Sequence, residues 1–157
     1  MTPTHVYRAT VRWTGDLGTG TSDSRGYSRD HAIEVEGKPP ILATSGLSPR
    51  SDPARYSPDD LVVGALSSCH MLWYLHLCSV AGIVVTSYVD AAEGTLALDR
   101  DGGGHFIGAT LRPHVVVRSG DLEVAQRLHE EAHRRCFVAN SVNFPVTLAP
   151  SIEHVPG

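Results

Sequence analysis

The longest apolar stretch of the chain, residues 61–85, contains no charged residue over 25 positions. Ser57 lies just before it and can accept hydrogen bonds as a helix N-cap, while Pro58 suits the first helical position. Gly82 suits the left-handed conformation that ends many helices. We therefore predict a central helix from Ser57 to Gly82, roughly 24 residues or about 36 Å long at 1.5 Å per residue. Cys69 lies near its middle.

Upstream of this helix the polarity alternates every second residue. Residues 5–14 place apolar side chains on one side and arginine or threonine on the other, which predicts a half-buried strand. Residues 27–36 predict a returning strand, and residues 41–44 predict a shorter third one. Residues 45–55 contain two prolines and several small polar residues, so we expect a loop that leads into the central helix.

Downstream of the helix the pattern changes to β-branched runs. Residues 84–98 and 106–118 predict two strands, and the Asp-Gly-Gly-Gly run at 101–104 predicts the hairpin turn between them, because glycine adopts positive φ freely. Pro113 lies inside the second of these strands and cannot donate to a sheet ladder. We therefore expect an edge position or a bulge there.

The last third of the chain predicts a second helix and a closing strand. Asp121 is its expected N-cap, and apolar residues recur at three- and four-residue steps up to Cys136, which places that cysteine on the buried stripe. Residues 137–144 predict a short helix or turn, and residues 145–149 a strand that extends at most to residue 155. The order of elements indicates an α+β fold, with the helices on one side and a single domain over residues 1–157.

Composition excludes several classes of partner. A net charge of −4 provides no basic field for nucleic acid or an anionic membrane surface. Three cysteines are too few, and odd in number, for a secreted disulfide scaffold. The N-terminal residues lack the basic and apolar segments of a signal peptide. We expect a cytoplasmic protein in a reducing compartment.

The uncharged stretch is also long enough to cross a bilayer. It contains His70, His76 and three serines, leads directly into a β-branched strand, and lacks aromatic and basic anchors at both ends. We therefore favour the core helix of a soluble protein. A helix that is apolar on nearly all sides needs more cover than 157 residues readily provide, so we expect a second subunit.

Two of the three cysteines form a candidate redox pair. Cys69 lies in a Ser-Ser-Cys-His run within an otherwise apolar helix, so we expect a polar group to face it. Helices packed against each other can bring Cys69 and Cys136 within the range of a reversible disulfide. Cys78 is nine residues after Cys69, on the opposite side of the helix, and we interpret it as structural. Because buried cysteines are commonly small hydrophobic residues, packing alone is the alternative for all three.

Charged residues near the start of the central helix are candidates to activate the thiol. Asp59 points broadly to the side of the helix that carries Cys69, while Asp60 is interpreted as a surface carboxylate that complements the helix dipole. A guanidinium near Cys69 would lower the pKa of its thiol and hold a polar substrate oxygen. The candidates for that guanidinium are Arg25, Arg29, Arg50 and Arg55.

The histidines are candidate metal ligands. His129 and His133 stand in a His-Glu-Glu-Ala-His run, which formally matches the H-E-x-x-H pattern of zinc proteases. No third ligand is evident, and the surrounding helix carries many charges. We therefore interpret His129 and His133 as a surface pair and predict no metal site.

Three motifs stand in the order Ser-Pro-Asp-Asp-Leu at 57–61, Ala-Leu-Ser-Ser-Cys-His at 65–70, and Cys136 in the second helical region. In these motifs, and in the order of elements over essentially the whole chain, the protein resembles the OsmC/Ohr family of thiol peroxidases. The resemblance implies an OsmC-like fold, in which antiparallel sheets pack on a long central helix and a second helix. It also implies an intertwined homodimer with active sites at the subunit interface.

The resemblance implies that Cys69 is the peroxidatic cysteine and Cys136 the resolving cysteine, with no cofactor. Asp59 matches an acidic position that orients a catalytic arginine. In the peroxide-resistance branch this arginine follows a Gly-Gly pair after the first strand, and this chain lacks that pair. We favour Arg55 for the role, with Arg25 second. The run His-Met-Leu-Trp at 70–73 suggests a separate OsmC-like subgroup.

We therefore expect a peroxidase that reduces organic hydroperoxides or hydrogen peroxide through a Cys69 sulfenic acid and a Cys69–Cys136 disulfide, which an external dithiol reduces. Trp73, Tyr74 and Phe137 would line an apolar pocket that favours organic hydroperoxides. The alternative is a non-enzymatic stress protein of the same fold that binds a small molecule in this pocket, or a metal through its histidines.

Overall fold

The computed structural model describes residues 3–48 and 51–156, so Arg50 and the end of its loop lie outside the described residues. The chain folds into two compact units, residues 1–61 and residues 62–157. The helices are α1 (Pro58–Val80) and α2 (Leu122–Arg135), with a short 3-10 helix at Ala139–Ser141. The strands are β1 (Thr10–Trp13), β2 (His31–Glu34), β3 (Ile41–Ala43), β4 (Val84–Asp90), β5 (Glu93–Leu98), β6 (Gly104–Leu111), β7 (Pro113–Ser119), β8 (Val146–Leu148) and β9 (Ser151–His154).

The first unit contains a three-stranded antiparallel sheet in the order β1-β2-β3. The three strands lie within the segments predicted from the alternating pattern, but they are shorter. All four residues of β1 are exposed, and Val11 is 66% exposed. The prediction of a half-buried strand is therefore wrong for the single chain.

The ends of α1 follow the predicted capping signals. Ser57 Oγ accepts from the amide of Asp60 at 3.1 Å, and the Asp60 carboxylate accepts from the amide of Ser57 at 2.8 Å. This reciprocal capping box gives Asp60 a defined partner, whereas the sequence indicated only a dipole complement. At the other end Gly82 has φ +71°, and the Ile83 amide donates to the Cys78 carbonyl at 2.9 Å, which terminates the helix.

The second unit contains two mixed three-stranded sheets, β4-β7-β9 and β5-β6-β8. The predicted strands 84–98 and 106–118 are each divided in two, because the chain passes from one sheet to the other between Asp90 and Glu93 and again at Arg112. β4 pairs antiparallel with β7 and β5 with β6, as predicted, while β8 and β9 pair parallel to β6 and β7. Pro113 begins the central strand β7 and is not at an edge, and a first position suits a residue without an amide hydrogen.

Helix α2 begins at its predicted cap, because Asp121 Oδ1 accepts from the amides of Glu123 and Val124. Its buried residues are Ala125, His129 and Ala132. The main core cluster joins α1, α2 and β7, and consists of Tyr74, Cys78, Ile83, Val115, Val117, Ala125 and Ala132. Packing across these elements therefore fixes the side of α1 that faces away from solvent.

Among the described residues, one side of α1 stays exposed. Exposed residues recur at four-residue steps, namely Gly64, Ser68, Leu72, His76 and Val80. Leu72 is 64% exposed and Val80 is 74% exposed. By length and composition α1 meets the criterion for a membrane-spanning helix, and only 22% of its apolar window is buried inside the chain.

Candidate active site

Cys69 lies at the middle of α1, half-buried, on the turn that also carries Ser68 and His70. Its thiol is free. A polar contact lies two residues before Cys69, where Ser67 Oγ donates to Asp90 Oδ2 at 2.6 Å. Asp90 is itself held at the end of β4, because its other oxygen accepts from the Arg112 amide at 2.7 Å.

Cys136 is positioned by the end of α2. The helix stops at Arg135, and Cys136 is the C-cap residue with extended angles of φ −67° and ψ 111°. Its thiol is 1% exposed, and the amide of Ala139 donates to Sγ at 3.4 Å. The predicted burial of Cys136 is confirmed, although the residue lies one position past the end of α2.

The Cys69 thiol lies beside the Cys136 thiol, close enough to influence the pKa of Cys136. Burial is the main cause that raises the pKa of the Cys136 thiol to about 11, and the neighbouring Cys69 thiol contributes to the same increase. Cys136 is consequently a protonated thiol at neutral pH and a poor nucleophile toward external reagents. Cys69 is the more accessible sulfur, and a thiol partner already lies in contact with it.

An apolar cavity of about 280 Å³ opens beside Cys69. Phe137 is 70% exposed, so it forms part of the open rim. The rings of Trp73 and Phe137 pack edge to face, with centroids 5.7 Å apart. The lining residues are Ala65, Ser68, Cys69, Leu72, Trp73, Phe137 and Val138. The expectation for Trp73 and Phe137 is thus confirmed, whereas Tyr74 does not line this cavity because it is fully buried in the core.

Sequence reasoning missed a guanidinium beside this cavity. The Arg135 guanidinium lies 5.6 Å from the centroid of the Trp73 ring, in a cation–π arrangement, and the Glu131 carboxylate accepts from Arg135 Nε. The sequence offered one indication of this role, because Arg135 immediately precedes Cys136. Trp73 therefore has the cavity on one side and a positive charge against its ring.

The predicted residues Asp59 and Arg55 both lie in the first unit. Asp59 is half-buried in the first turn of α1, ten residues before Cys69 in the sequence. Arg55 forms ion pairs with Asp52 at 3.4 Å and with Asp30 at 3.7 Å. These carboxylates hold the Arg55 guanidinium in place, and its role toward the Cys69 thiol stays a prediction.

The structure overturns the interpretation of His129 as a surface residue. His129 is 1% exposed and His70 is fully buried; His70 Nε2 and His129 Nδ1 lie 3.1 Å apart and share a hydrogen bond. The ring of Tyr74 stacks on His129 with centroids 3.8 Å apart. The signal was available, because positions 125, 129, 132 and 136 follow one helical stripe. The many charged residues of α2 led to the interpretation of His129 as a surface residue instead.

Burial lowers the pKa of both histidines, to about 4 for His70 and about 3 for His129. Each ring is therefore neutral at neutral pH. Among residues 3–48 and 51–156, no three His, Cys, Asp or Glu side chains form a group that could hold a metal ion. Cys78 is 1% exposed and packs with Tyr74 in the main core cluster, as expected of a structural residue.

With this geometry established, the chain was compared with known proteins. The sequence model of the family described as OsmC-like protein matches residues 51–151, which is more than half of the 157 residues. The chain belongs to the OsmC-like family. The matched range includes Asp59, Cys69 and Cys136, the residues on which the resemblance rested, and Arg55.

Solved structures agree with this membership. An OsmC-like protein of unknown function from Vibrio cholerae is 33% identical, with a TM-score of 0.84, and the match covers 94% of this OsmC-like chain and 100% of that one. An organic hydroperoxide resistance protein from Elizabethkingia anophelis is 17% identical, with a TM-score of 0.67 and coverage of 99% and 100%. The protein OhrB of Bacillus subtilis, also an organic hydroperoxide resistance protein, is 18% identical, with a TM-score of 0.63 and coverage of 95% and 98%. These last two matches establish the fold alone. A search of curated proteins found no match.

Proposed function

We propose that this protein is a thiol-dependent peroxidase that reduces organic hydroperoxides. The Cys69 thiolate attacks the terminal peroxide oxygen, the O–O bond breaks, and the alkoxide leaves as an alcohol after taking up a proton. Cys69 is then a sulfenic acid. The sulfur of Cys136 attacks the Cys69 sulfur, a disulfide forms, and the sulfenic oxygen leaves as water. An external dithiol returns the pair to the reduced state.

The observation that carries this proposal is the contact between a half-buried and a fully buried thiol beside a cavity. Cys69 lines the cavity, and Cys136 lies behind it with a pKa of about 11. A peroxide therefore meets Cys69 first, and the resolving thiol is protected from direct oxidation. The names of the hydroperoxide resistance proteins that share this fold support the same chemistry.

The cavity favours peroxides with an apolar substituent. Leu72, Trp73 and Phe137 provide aliphatic and aromatic surface next to the sulfur. Burying an aryl or branched alkyl group there contributes roughly 25 cal/mol per Å² of apolar surface removed from water. Hydrogen peroxide makes no such contact, so we expect it to be the poorer substrate.

We assign Asp59 and Arg55 the supporting roles that the family resemblance implies. Arg55 would stabilise the Cys69 thiolate and the leaving oxygen, and Asp59 would orient that guanidinium. Arg25 is the second candidate for the guanidinium. Replacing Arg55 and Arg25 separately by lysine, with Arg135→Lys as a matched control beside the cavity, identifies the arginine whose loss slows Cys69 oxidation.

We further propose that the functional form is an intertwined homodimer, and that the protein works in the reducing cytoplasm. Support for the dimer comes from the uncovered side of α1 and from the exposed strand β1. A second copy would cover Leu72 and Val80. Light scattering after size exclusion should give twice the chain mass for the wild type, and Leu72→Asp should shift that mass toward the monomer.

The decisive test is rapid-mixing oxidation of the reduced protein by cumene hydroperoxide. We expect one equivalent of peroxide to remove two thiols and leave Cys78 as the remaining one. Cys78→Ala serves as the matched control and should react as fast as the wild type. Rates no faster than those of free cysteine would overturn the proposal. Tight binding of an apolar molecule without any oxidation would favour the carrier alternative.

A further inference from the structure

The hydrogen bond between His70 and His129 connects the two helices that carry the cysteines. His70 follows Cys69 on α1, and His129 precedes Cys136 by seven residues on α2. Seven residues are about two turns, or roughly 10 Å of helix. The point on α1 at which His129 is held therefore determines where Cys136, at the end of α2, lies relative to Cys69.

Few fully buried side chains of α2 set this place, although Val124 and Leu128 pack half-buried against the same core cluster. Two of its three buried residues are Ala125 and Ala132, whose methyl groups impose little steric constraint on sliding or rotation. His129 is the large buried side chain between them. Tyr74 stacks against its ring, so the imidazole is held both in its plane and across its face.

Filling the core with this histidine pair costs more free energy than filling it with apolar side chains. A neutral imidazole has one donor and one acceptor nitrogen. His70 Nδ1 and His129 Nε2 have no partner among the described residues, so the pair leaves one N–H group and one lone pair unsatisfied. Apolar side chains of similar volume would avoid that cost, and the best-attested use of a buried polar contact is to specify one arrangement. That reasoning favours a positional role over a contribution to stability.

We propose that His70 and His129 are positioning residues for the resolving step: their hydrogen bond sets α2 along α1 and holds the Cys136 thiol against Cys69. This inference rests on the proposed peroxidase function. The step that it governs is disulfide formation, in which the S–S bond forms, the S–O bond of the sulfenic acid breaks, and water leaves. Peroxide attack on Cys69 does not need the histidines.

The test compares variants that break the hydrogen bond with one that rebuilds it. His129→Leu removes the bond and keeps a buried apolar side chain. His129→Gln is a second broken variant, because its amide reaches the place of Nε2 and not of Nδ1. The double variant His70→Gln with His129→Asn places amides near Nε2 of residue 70 and Nδ1 of residue 129. Cys78→Ala is the control for a core substitution that leaves the histidines intact.

Two rates are measured after one equivalent of cumene hydroperoxide: sulfenic acid formation, trapped with dimedone, and disulfide formation, followed by thiol counting. In both broken variants we expect sulfenic acid formation within twofold of the wild type and disulfide formation at least tenfold slower. In the double variant and in Cys78→Ala we expect disulfide formation within threefold of the wild type.

A second readout needs no peroxide. In a glutathione buffer the reduced protein and oxidised glutathione equilibrate with the Cys69–Cys136 disulfide and two reduced glutathiones. We expect the broken variants to lower this equilibrium constant at least tenfold. If wild-type Cys69 fails to react with peroxide, the proposed function fails while this equilibrium still tests the positioning role. Wild-type disulfide formation in a broken variant, or no recovery in a cooperatively folded double variant, would overturn the inference.

Discussion

Cys69 and His70 are neighbours on α1, and both contact residues at or near the C-terminal half of α2, but their surroundings differ. Cys69 is half-buried, borders a cavity and meets Cys136. His70 is fully buried, points into the core and meets His129. Consecutive residues of a helix point about 100° apart, so Cys69 faces the cavity while His70 faces the core.

This comparison separates chemistry from architecture on one helix. The cysteine pair can change covalent state, because an opening beside Cys69 admits a reagent. The histidine pair is buried in the core, and this burial keeps both rings neutral. We therefore expect substitutions of Cys69 to alter reactivity with little change in stability, and substitutions of the histidines to alter stability strongly.

The largest expected effect is the loss of activity in Cys69→Ser. The hydroxyl of serine is not ionised at neutral pH, so peroxide reduction should fall by about three orders of magnitude or more. The free energy of unfolding should change by less than about 1 kcal/mol because the site is only half-buried. Steady-state peroxide consumption and urea unfolding measure the two quantities. Activity within tenfold of the wild type would assign the chemistry to another residue.

The next largest effect is the destabilisation of His129→Ala. This change opens a cavity in the core and leaves the ring nitrogen of His70 without its partner, which together cost about 2–4 kcal/mol. Urea unfolding at pH 7.5 gives the value. The matched surface control is Glu130→Ala, one residue along α2 and exposed, which should stay within about 0.5 kcal/mol of the wild type. Equal effects in the two variants would contradict the buried pair.

A pH titration of stability tests the same pair without mutating it. The folded-state pKa values, about 4 and about 3, lie below the ordinary histidine value of 6.5. Between pH 6.5 and about 4 the unfolded chain binds more protons, so the free energy of unfolding should fall as the pH falls. The expected slope is up to about 1.4 kcal/mol per pH unit for each histidine.

Neighbouring titratable groups also influence the pH dependence of the histidine pair. They are Asp90 and Tyr88 on β4, His133 on α2, and Tyr74 and Cys78 on α1. Asp90 favours the protonated form of His70, and His133 opposes it. The double variant His70→Gln with His129→Asn retains Asp90 and His133, so it should lose most of the slope. A slope unchanged in that variant would attribute the pH dependence to other groups.

The smallest expected effect concerns the cavity beside Cys69. Phe137 packs on Trp73 at the rim of the cavity, so Phe137→Ala should raise the KM for cumene hydroperoxide by about threefold to tenfold through lost apolar contact. The rate with hydrogen peroxide should stay within about twofold, because that substrate is too small to reach the ring. A parallel loss with both peroxides would indicate a displaced Cys69 and not a lost substrate contact.

Local signals in the sequence were sufficient for the boundaries of the helices and for the candidate nucleophile. Ser57 with Asp60, Gly82 and Asp121 act on backbone groups within a few residues, so their effect depends little on the rest of the fold. The thiol at the middle of α1 could likewise be singled out from its small polar neighbours. The hairpin between β5 and β6 formed at the predicted turn for the same reason.

Tertiary structure alone decided which residues meet. Parallel pairing of β8 and β9 with distant strands, the division of two predicted strands between sheets, and the burial of His129 all depend on contacts far apart in sequence. The amphipathic pattern placed His129 on the inner stripe, but only the approach of His70, 59 residues away, makes its burial tolerable. In the same way the sequence determined that Cys69 and Cys136 were candidates, and the extended C-cap of α2 placed the second thiol beside the first.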